Sequence, residues 1–142
     1  MIDPELSSGL PQGLKVLVAD DNVPAAEVLA MALQMLGQKT CVVHDGERAL
    51  ALAGEFKPDL AILDIGMPKL DGLEVARALR GMPGLAGMRL VALSGWGQPH
   101  DRKLALEAGF DRHLPKPIGI EMLEELLRET VAHHASRVAQ PN

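Results

Sequence analysis

Asp20 and Asp21 follow the apolar run 14–19, Asp64 follows the run 60–63, and Ser94 follows the run 90–93. Lys116 stands between Pro115 and Pro117, just after His113 and Leu114. Taken singly, each has an ordinary structural explanation. An Asp-Asp pair before a helix supplies a cap and a turn residue, a Ser before Gly95 makes a turn, and a Lys between prolines is a solvated loop charge. Together they amount to three carboxylates, one hydroxyl and one ammonium, each placed where an apolar segment gives way to polar chain. Converging carboxylates repel, and two charges about 5 Å apart at an effective dielectric near 20 cost roughly 3 kcal/mol. A cation resolves that repulsion. An all-oxygen donor set with spare positions suits Mg²⁺, with Mn²⁺ able to stand in. Ca²⁺ fits less well, because no twelve-residue loop of its kind is present. A transition metal would ask for His or Cys, and the nearest histidine, His113, is expected to point elsewhere.

A carboxylate beside Mg²⁺ can also act as a nucleophile on phosphorus and become an aspartyl phosphate. The transferred group would carry charge on three oxygens. Mg²⁺, the Lys116 ammonium, and the Ser94 hydroxyl with a nearby backbone N–H could each meet one of them. Gly66, Gly72 and Gly95 leave the surrounding loops open to close backbone approach.

Such a set works only if the chain brings its members to one edge. The apolar runs 14–19, 40–43, 60–63, 90–93 and 113–114 read as strands, and helical spacing separates them. Asn22 with Pro24, Asp45 and Asp71 are expected to open three of the helices, and Gly37, Gly54 and Gly109 to close theirs. A short helix is expected over 101–108 and a last one from 120 to about 135, with Met122, Leu123, Leu126, Leu127 and Val131 facing inward. Five strands alternating with five helices imply an α/β fold, a doubly wound parallel sheet covered on both faces. Ligands of such sheets bind beyond the carboxyl ends of the strands, which is where the polar residues collect.

The chain has 142 residues, one domain's length, with 47% hydrophobic and 23% charged residues. Its net charge of −5 argues against nucleic acid or an anionic membrane surface as a partner. A single cysteine, Cys41, excludes an internal disulfide and a cysteine-cluster metal site. No apolar run is long enough to insert into a bilayer, and the first residues lack a signal peptide's pattern, so the expected compartment is the cytoplasm.

With these motifs in place, residues 14–135 resemble a response-regulator receiver domain of two-component signalling. The resemblance is carried by 16–22 (VLVADDN), 63–72 (LDIGMPKLDG), 92–95 (ALSG) and 114–117 (LPKP). Asp21, Asp64, Ser94 and Lys116 are separated by 43, 30 and 22 residues, in the family's order. The resemblance implies a flavodoxin-like five-stranded sheet of order 2-1-3-4-5. It implies Asp64 as phospho-acceptor, with Asp21 and Asp64 binding Mg²⁺ through side chains, Gly66 through its backbone carbonyl, and Asp20 through a metal-bound water. Ser94 and Lys116 would contact the phosphoryl group, and the Lys116–Pro117 bond would be cis. The phosphoryl donor would be a sensor histidine kinase or a histidine phosphotransfer domain. The face of the fourth helix, fifth strand and fifth helix would then change its affinity for a downstream protein. Self-phosphorylation from small donors and slow self-dephosphorylation would be the only catalysis.

The segments 94–98 and 111–117 are most similar to receivers attached to hybrid sensor histidine kinases. Residues 1–13 read as a leader or interdomain linker and 136–142 as a tail, which favours a hybrid-kinase receiver over a stand-alone regulator. One departure concerns position 113, where the family usually carries Tyr or Phe and this chain has histidine. His113 is expected to act with Ser94 as a weaker, pH-sensitive switch. Trp96, two residues past Ser94, is a candidate interaction anchor. Met31, Met35 and Met122 are expected in the core.

Two other classes fit less well. An aspartyl-phosphate phosphatase would want an acid two residues after the nucleophile, where Gly66 stands. A flavin binder would want aromatic side chains, and the chain has two Phe, one Trp and no Tyr.

Overall fold

The apolar runs become five short strands, β1 (Lys15–Ala19), β2 (Lys39–Val43), β3 (Leu60–Asp64), β4 (Arg89–Ser94) and β5 (Arg112–Pro115). Helices α1 (Val23–Met35), α2 (Gly46–Phe56), α3 (Gly72–Arg80), α4 (Pro99–Ala108) and α5 (Ile120–Ala139) follow them in turn. A computed structural model describes residues 10–67, 70–85, 87–95 and 99–139, with the side chains of 99–101 and 133–139 left aside. Every strand pairing is parallel, and the order is β2-β1-β3-β4-β5. This is the α/β architecture expected from the alternation, with the order that the resemblance implied.

β3 is buried on both faces and reads as a continuous apolar run for that reason. Its residues alternate between two cores. Leu17, Ala19, Ala61, Leu63 and Ala92 pack with residues of α2, α3 and α4. Val16, Val18, Leu60, Ile62, Val91 and Leu93 pack with residues of α1 and α5. The expected caps are present. Asn22 accepts from the Ala25 N–H at 3.1 Å and Asp45 from Arg48 at 2.8 Å. Asp71 and Glu74 form a reciprocal capping box. Gly72 has a tighter constraint, since a Cβ there would lie 2.7 Å from the Asp64 carbonyl oxygen and from Ile65 Cα. Only a glycine lets α3 start this close to the end of β3.

Several expectations are corrected. Met122, half-buried, packs against the second core as expected, but Met31 and Met35 are not core residues, being 60% and 69% exposed. They stand with Val28 on the side of α1 opposite Ala26, Ala30 and Leu33, which are buried. This helix is apolar around most of its circumference, so spacing alone does not choose the inward stripe. Val131 of α5 is likewise exposed, at the edge of the stripe set by Leu123, Leu126, Leu127 and Thr130. Gly54 does not end α2, which runs on to Phe56 and closes at Lys57 in a left-handed conformation (φ 52°). β5 is longer than the two residues expected, and α4 begins two residues earlier.

Residues 10–13, read as part of a leader, pack on the α1–β2 turn. Leu10 is buried, the Gly13 N–H donates to Gly37 O at 2.8 Å, and the Gln38 side chain donates to Pro11 O at 2.7 Å. Leu33→Ala should destabilise the fold by about 2–5 kcal/mol, while Met31→Ala should stay within about 0.5 kcal/mol of the parent. Urea unfolding monitored by circular dichroism measures both.

Candidate metal and phosphoryl site

β1 and β3 are adjacent and in register, with Ala19 opposite Leu63. Their carboxyl ends therefore release Asp20, Asp21 and Asp64 side by side. One carboxylate oxygen from each of these lies within 4.8 Å of the others. Asp20 and Asp64 are buried and Asp21 is exposed, so the cluster opens to solvent on one side. Backbone amides hold the two buried acids. The Asn22 N–H donates to Asp20 Oδ1 at 2.9 Å, and the Gly66 N–H donates to Asp64 Oδ1 at 3.0 Å.

β5 brings a positive charge to the same place. Lys116 directly follows β5, its bond to Pro117 is cis, and its backbone N–H donates to Ser94 O at 3.0 Å. Its Nζ lies 3.0 Å from Asp64 Oδ2 and 3.0 Å from Asp20 Oδ2. Ser94 is buried and follows Leu93, the register partner of Asp64. Its Oγ is 2.8 Å from His113 Nε2. The structure thus brings Asp20, Asp21, Asp64 and Lys116 together, with Ser94 and His113 paired on the neighbouring strands. Gly66 lies beside Asp64. Trp96 lies outside the described residues.

The electrostatics separate the two buried acids. For Asp64, burial favours the neutral acid, but the Gly66 N–H and the Lys116 ammonium outweigh it and hold the carboxyl below its ordinary range. For Asp20 burial wins over the Asn22 N–H and Lys116, and the carboxyl is pushed up. Lys116 is destabilised as a cation by burial, yet its bonds to Asp64 and Asp20 leave it a stronger base than a free lysine. Asp64 is thus the acid kept ionised, with one oxygen held by an amide and the other facing an ammonium. Its ionised form stabilises the fold above the ordinary carboxylate range, and that contribution is lost as pH falls through its folded value. Asp20 acts in the opposite sense. Its protonation favours folding, a contribution lost as pH rises through its folded value.

Three close carboxylates, two of them buried, fit a hard divalent cation such as Mg²⁺. Asp20, Asp21 and Asp64 would hold it, and among the described residues no His or Cys joins them, which disfavours softer metals. The residues that sequence reasoning missed act through the backbone or through packing. They are the Asn22 and Gly66 amides and His44, whose Nδ1 lies 3.1 Å from the Asp20 carbonyl oxygen, whereas the close backbone approach expected at Gly72 is found against Asp64. Of these, only the Asx-turn preference of an Asp-x-Asn run was open to sequence reading.

A groove of about 420 Å³ adjoins the cluster. Asp20, Asn22 and Lys116 line its polar end, and Pro24, Val28, Leu93, Pro117, Ile118 and Leu123 are among its apolar walls. It runs toward the exposed face of α1.

The family model described as the response regulator receiver domain matches residues 16–128. The chain is 36% identical over 127 residues to the response regulator MprA of Mycobacterium tuberculosis, an alignment covering 87% of this chain and 54% of that one. The chain therefore spans about half the length of this relative. A putative response regulator from Chloroflexus aurantiacus superposes with a TM-score of 0.80 at 26% identity, over 85% of this chain and 99% of that one. The receiver domain of the sensor histidine kinase PA1611 of Pseudomonas aeruginosa, solved with a magnesium ion coordinated in its active-site cleft, gives a TM-score of 0.78 at 28% identity. That match covers 84% of this chain and 98% of the other.

Replacing Lys116 by Met leaves two buried carboxylates without their ammonium. The Asp64 carboxyl should then titrate higher than in the parent, and metal-free stability at neutral pH should fall by about 1–3 kcal/mol. Carboxyl carbon NMR titration and urea unfolding read the two effects.

Proposed function

This chain belongs to the response regulator receiver domain family of two-component signalling, and we propose that it accepts a phosphoryl group from a phosphohistidine onto Asp64. The observation that carries this reading is the state of Asp64. It is held ionised, within 3.0 Å of Lys116 Nζ, inside a cluster whose net negative charge calls for a divalent cation.

In the transfer, an Asp64 carboxylate oxygen forms a bond to phosphorus as the phosphorus–nitrogen bond to the donor imidazole breaks. The electron pair of that bond stays on the imidazole nitrogen, which takes up a proton. The product is an acyl phosphate on Asp64. Lys116 releases Asp64 Oδ2 to meet a phosphoryl oxygen, and the Ser94 hydroxyl donates to another. Asp20, Asp21 and Asp64, with the Gly66 carbonyl, would hold Mg²⁺ (or Mn²⁺ in its place), which would supply charge neutralisation. The Mg²⁺-bound receiver of the Pseudomonas kinase supports this assignment.

The donor is a sensor histidine kinase or a histidine phosphotransfer domain. The apolar groove beside Lys116 and the exposed Val28, Met31 and Met35 of α1 offer it a docking surface next to the phospho-acceptor. The face of α4, β5 and α5 transmits the result to a downstream protein by shifting an existing equilibrium. Trp96, two residues past Ser94 in the sequence, is a candidate interaction anchor. The domain is a signalling module, with small-donor self-phosphorylation and slow self-dephosphorylation as its only catalysis. No described helix is long and apolar enough to cross a membrane; the receiver role supports a cytoplasmic location. Nucleic acid is not a partner of this acidic domain. Among signalling contexts, the receiver of a hybrid kinase is supported by the Pseudomonas neighbour, and a response regulator in its own right by MprA.

Acetyl phosphate with Mg²⁺ should add one phosphoryl group to the parent, seen by intact mass. Asp64→Asn should take none while keeping its fold. An adduct of equal yield in Asp64→Asn would exclude Asp64 as the acceptor. Asp21→Ala should raise the Mg²⁺ concentration needed for half-maximal phosphorylation by about tenfold or more.

A further inference from the structure

The contact between Ser94 and His113 raises a question of proton supply. Ser94 lies within the sheet edge with its Oγ 2.8 Å from His113 Nε2. His113 is the register partner of Ala92, two residues before Ser94. It therefore lies on the same face of the sheet as Ser94, the face covered by α4. A serine hydroxyl carries one proton and can accept through its lone pairs. A phosphoryl oxygen on Asp64 can only accept, so Ser94 must give it that one proton. A neutral imidazole whose Nε2 lacks hydrogen is an acceptor for the same proton. An imidazolium has a hydrogen on Nε2 and donates to Oγ, leaving the hydroxyl proton free for phosphate.

We propose that His113 is a positioning residue for Ser94, competing for the hydroxyl proton when neutral and directing it to the phosphoryl group when protonated. This deepens the phospho-acceptor reading of Asp64 and rests on it. In the unloaded protein, the neutral ring draws the hydroxyl toward β5. In the loaded and protonated protein, His113 donates to Ser94 and Ser94 donates to the phosphoryl oxygen, as two hydrogen bonds in series. A phenylalanine at this position could do neither, having no ring nitrogen.

The charges around the pair are distributed as follows. On β5, Arg112 pairs with Glu125 and Glu129 of α5. Just past the strand, Lys116 pairs with Asp20 and Asp64. On β4, Arg89 pairs with Asp111 and Glu129. α4 carries His100 and Asp101 in its first turn, and Arg102, Lys103 and Glu107 exposed along it. The charge arriving on loading is the phosphoryl group itself, beside Asp64.

Linkage sets the sign. Loading adds an acceptor for the Ser94 proton, so it favours ring forms with a hydrogen on Nε2; with the phosphoryl charge nearby the imidazolium is the form we assign, and the His113 midpoint then rises. Loading is then strengthened at low pH, and the gain is lost as pH rises through the loaded midpoint. The test follows the His113 ring by NMR between about pH 5 and 8, in Mg²⁺ alone and in Mg²⁺ with beryllofluoride, a phosphoryl mimic. The expected result is a rise of about one pH unit on loading, equivalent to about tenfold tighter beryllofluoride binding at the acid end. Ring nitrogen shifts in the unloaded protein should identify Nε2 as the acceptor. Ser94→Ala should abolish the rise, and His113→Phe should remove this part of the pH dependence of binding. Loading that leaves the His113 midpoint unchanged, or lowers it, would overturn the coupling while sparing the phospho-acceptor reading. Absence of loading at every pH would overturn both.

Discussion

Two buried acids and one exposed acid each bring a carboxylate oxygen into a space less than 5 Å across, with the Lys116 ammonium between the buried pair. Much of the rest of the structure serves to keep that arrangement in place. Like charges this close would drive the strand ends apart in a loop-built site. Here the acids are attached to β1 and β3, central strands that run between two cores. Packing on both faces fixes the spacing of the acids, and amides from Asn22 and Gly66 aim one oxygen of each buried carboxylate. Gly72 lets α3 begin directly against the end of β3. Lys116 arrives from the far side at the end of β5.

The unequal treatment of Asp20 and Asp64 gives the site its chemistry. The same lysine touches both, yet Asp64 ends below the ordinary carboxylate range and Asp20 above it. The better-stabilised anion is the one proposed to attack phosphorus. The poorly compensated one leaves negative charge for a cation to neutralise. In the proposed function a bound cation relieves that unbalanced charge, and a phosphoryl group adds to it, so loading of either can shift a conformational equilibrium.

Much of this was legible in the sequence because parallel strands buried on both faces announce themselves as apolar runs. The polar residue after each run then falls at the ligand-binding edge. The same pattern brings Asp20, Asp21, Asp64, Ser94 and Lys116 to that edge. It failed where periodicity is ambiguous. α1 is apolar nearly all round, so Met31 and Met35 looked like core residues when Ala26, Ala30 and Leu33 are the ones that meet the sheet. It also failed where the backbone does the work. Nothing in a side-chain pattern shows that the Gly66 N–H would hold Asp64, or that Lys57 would close α2 where Gly54 seemed to. The contact of His113 with Ser94 lies between these cases. Position 113 was conspicuous as a departure from the family, but only the parallel register of β4 and β5 puts its ring on the serine.

The most direct test of the central claim is the unfolding free energy at neutral pH, with and without Mg²⁺, for the parent and for Asp20→Asn. If the cluster is held at a cost that a cation relieves, the parent gains stability saturably with Mg²⁺. Asp20→Asn is then more stable than the parent without metal and gains less from it. A parent indifferent to Mg²⁺, destabilised by the same substitution, would contradict the cluster's role as a cation site.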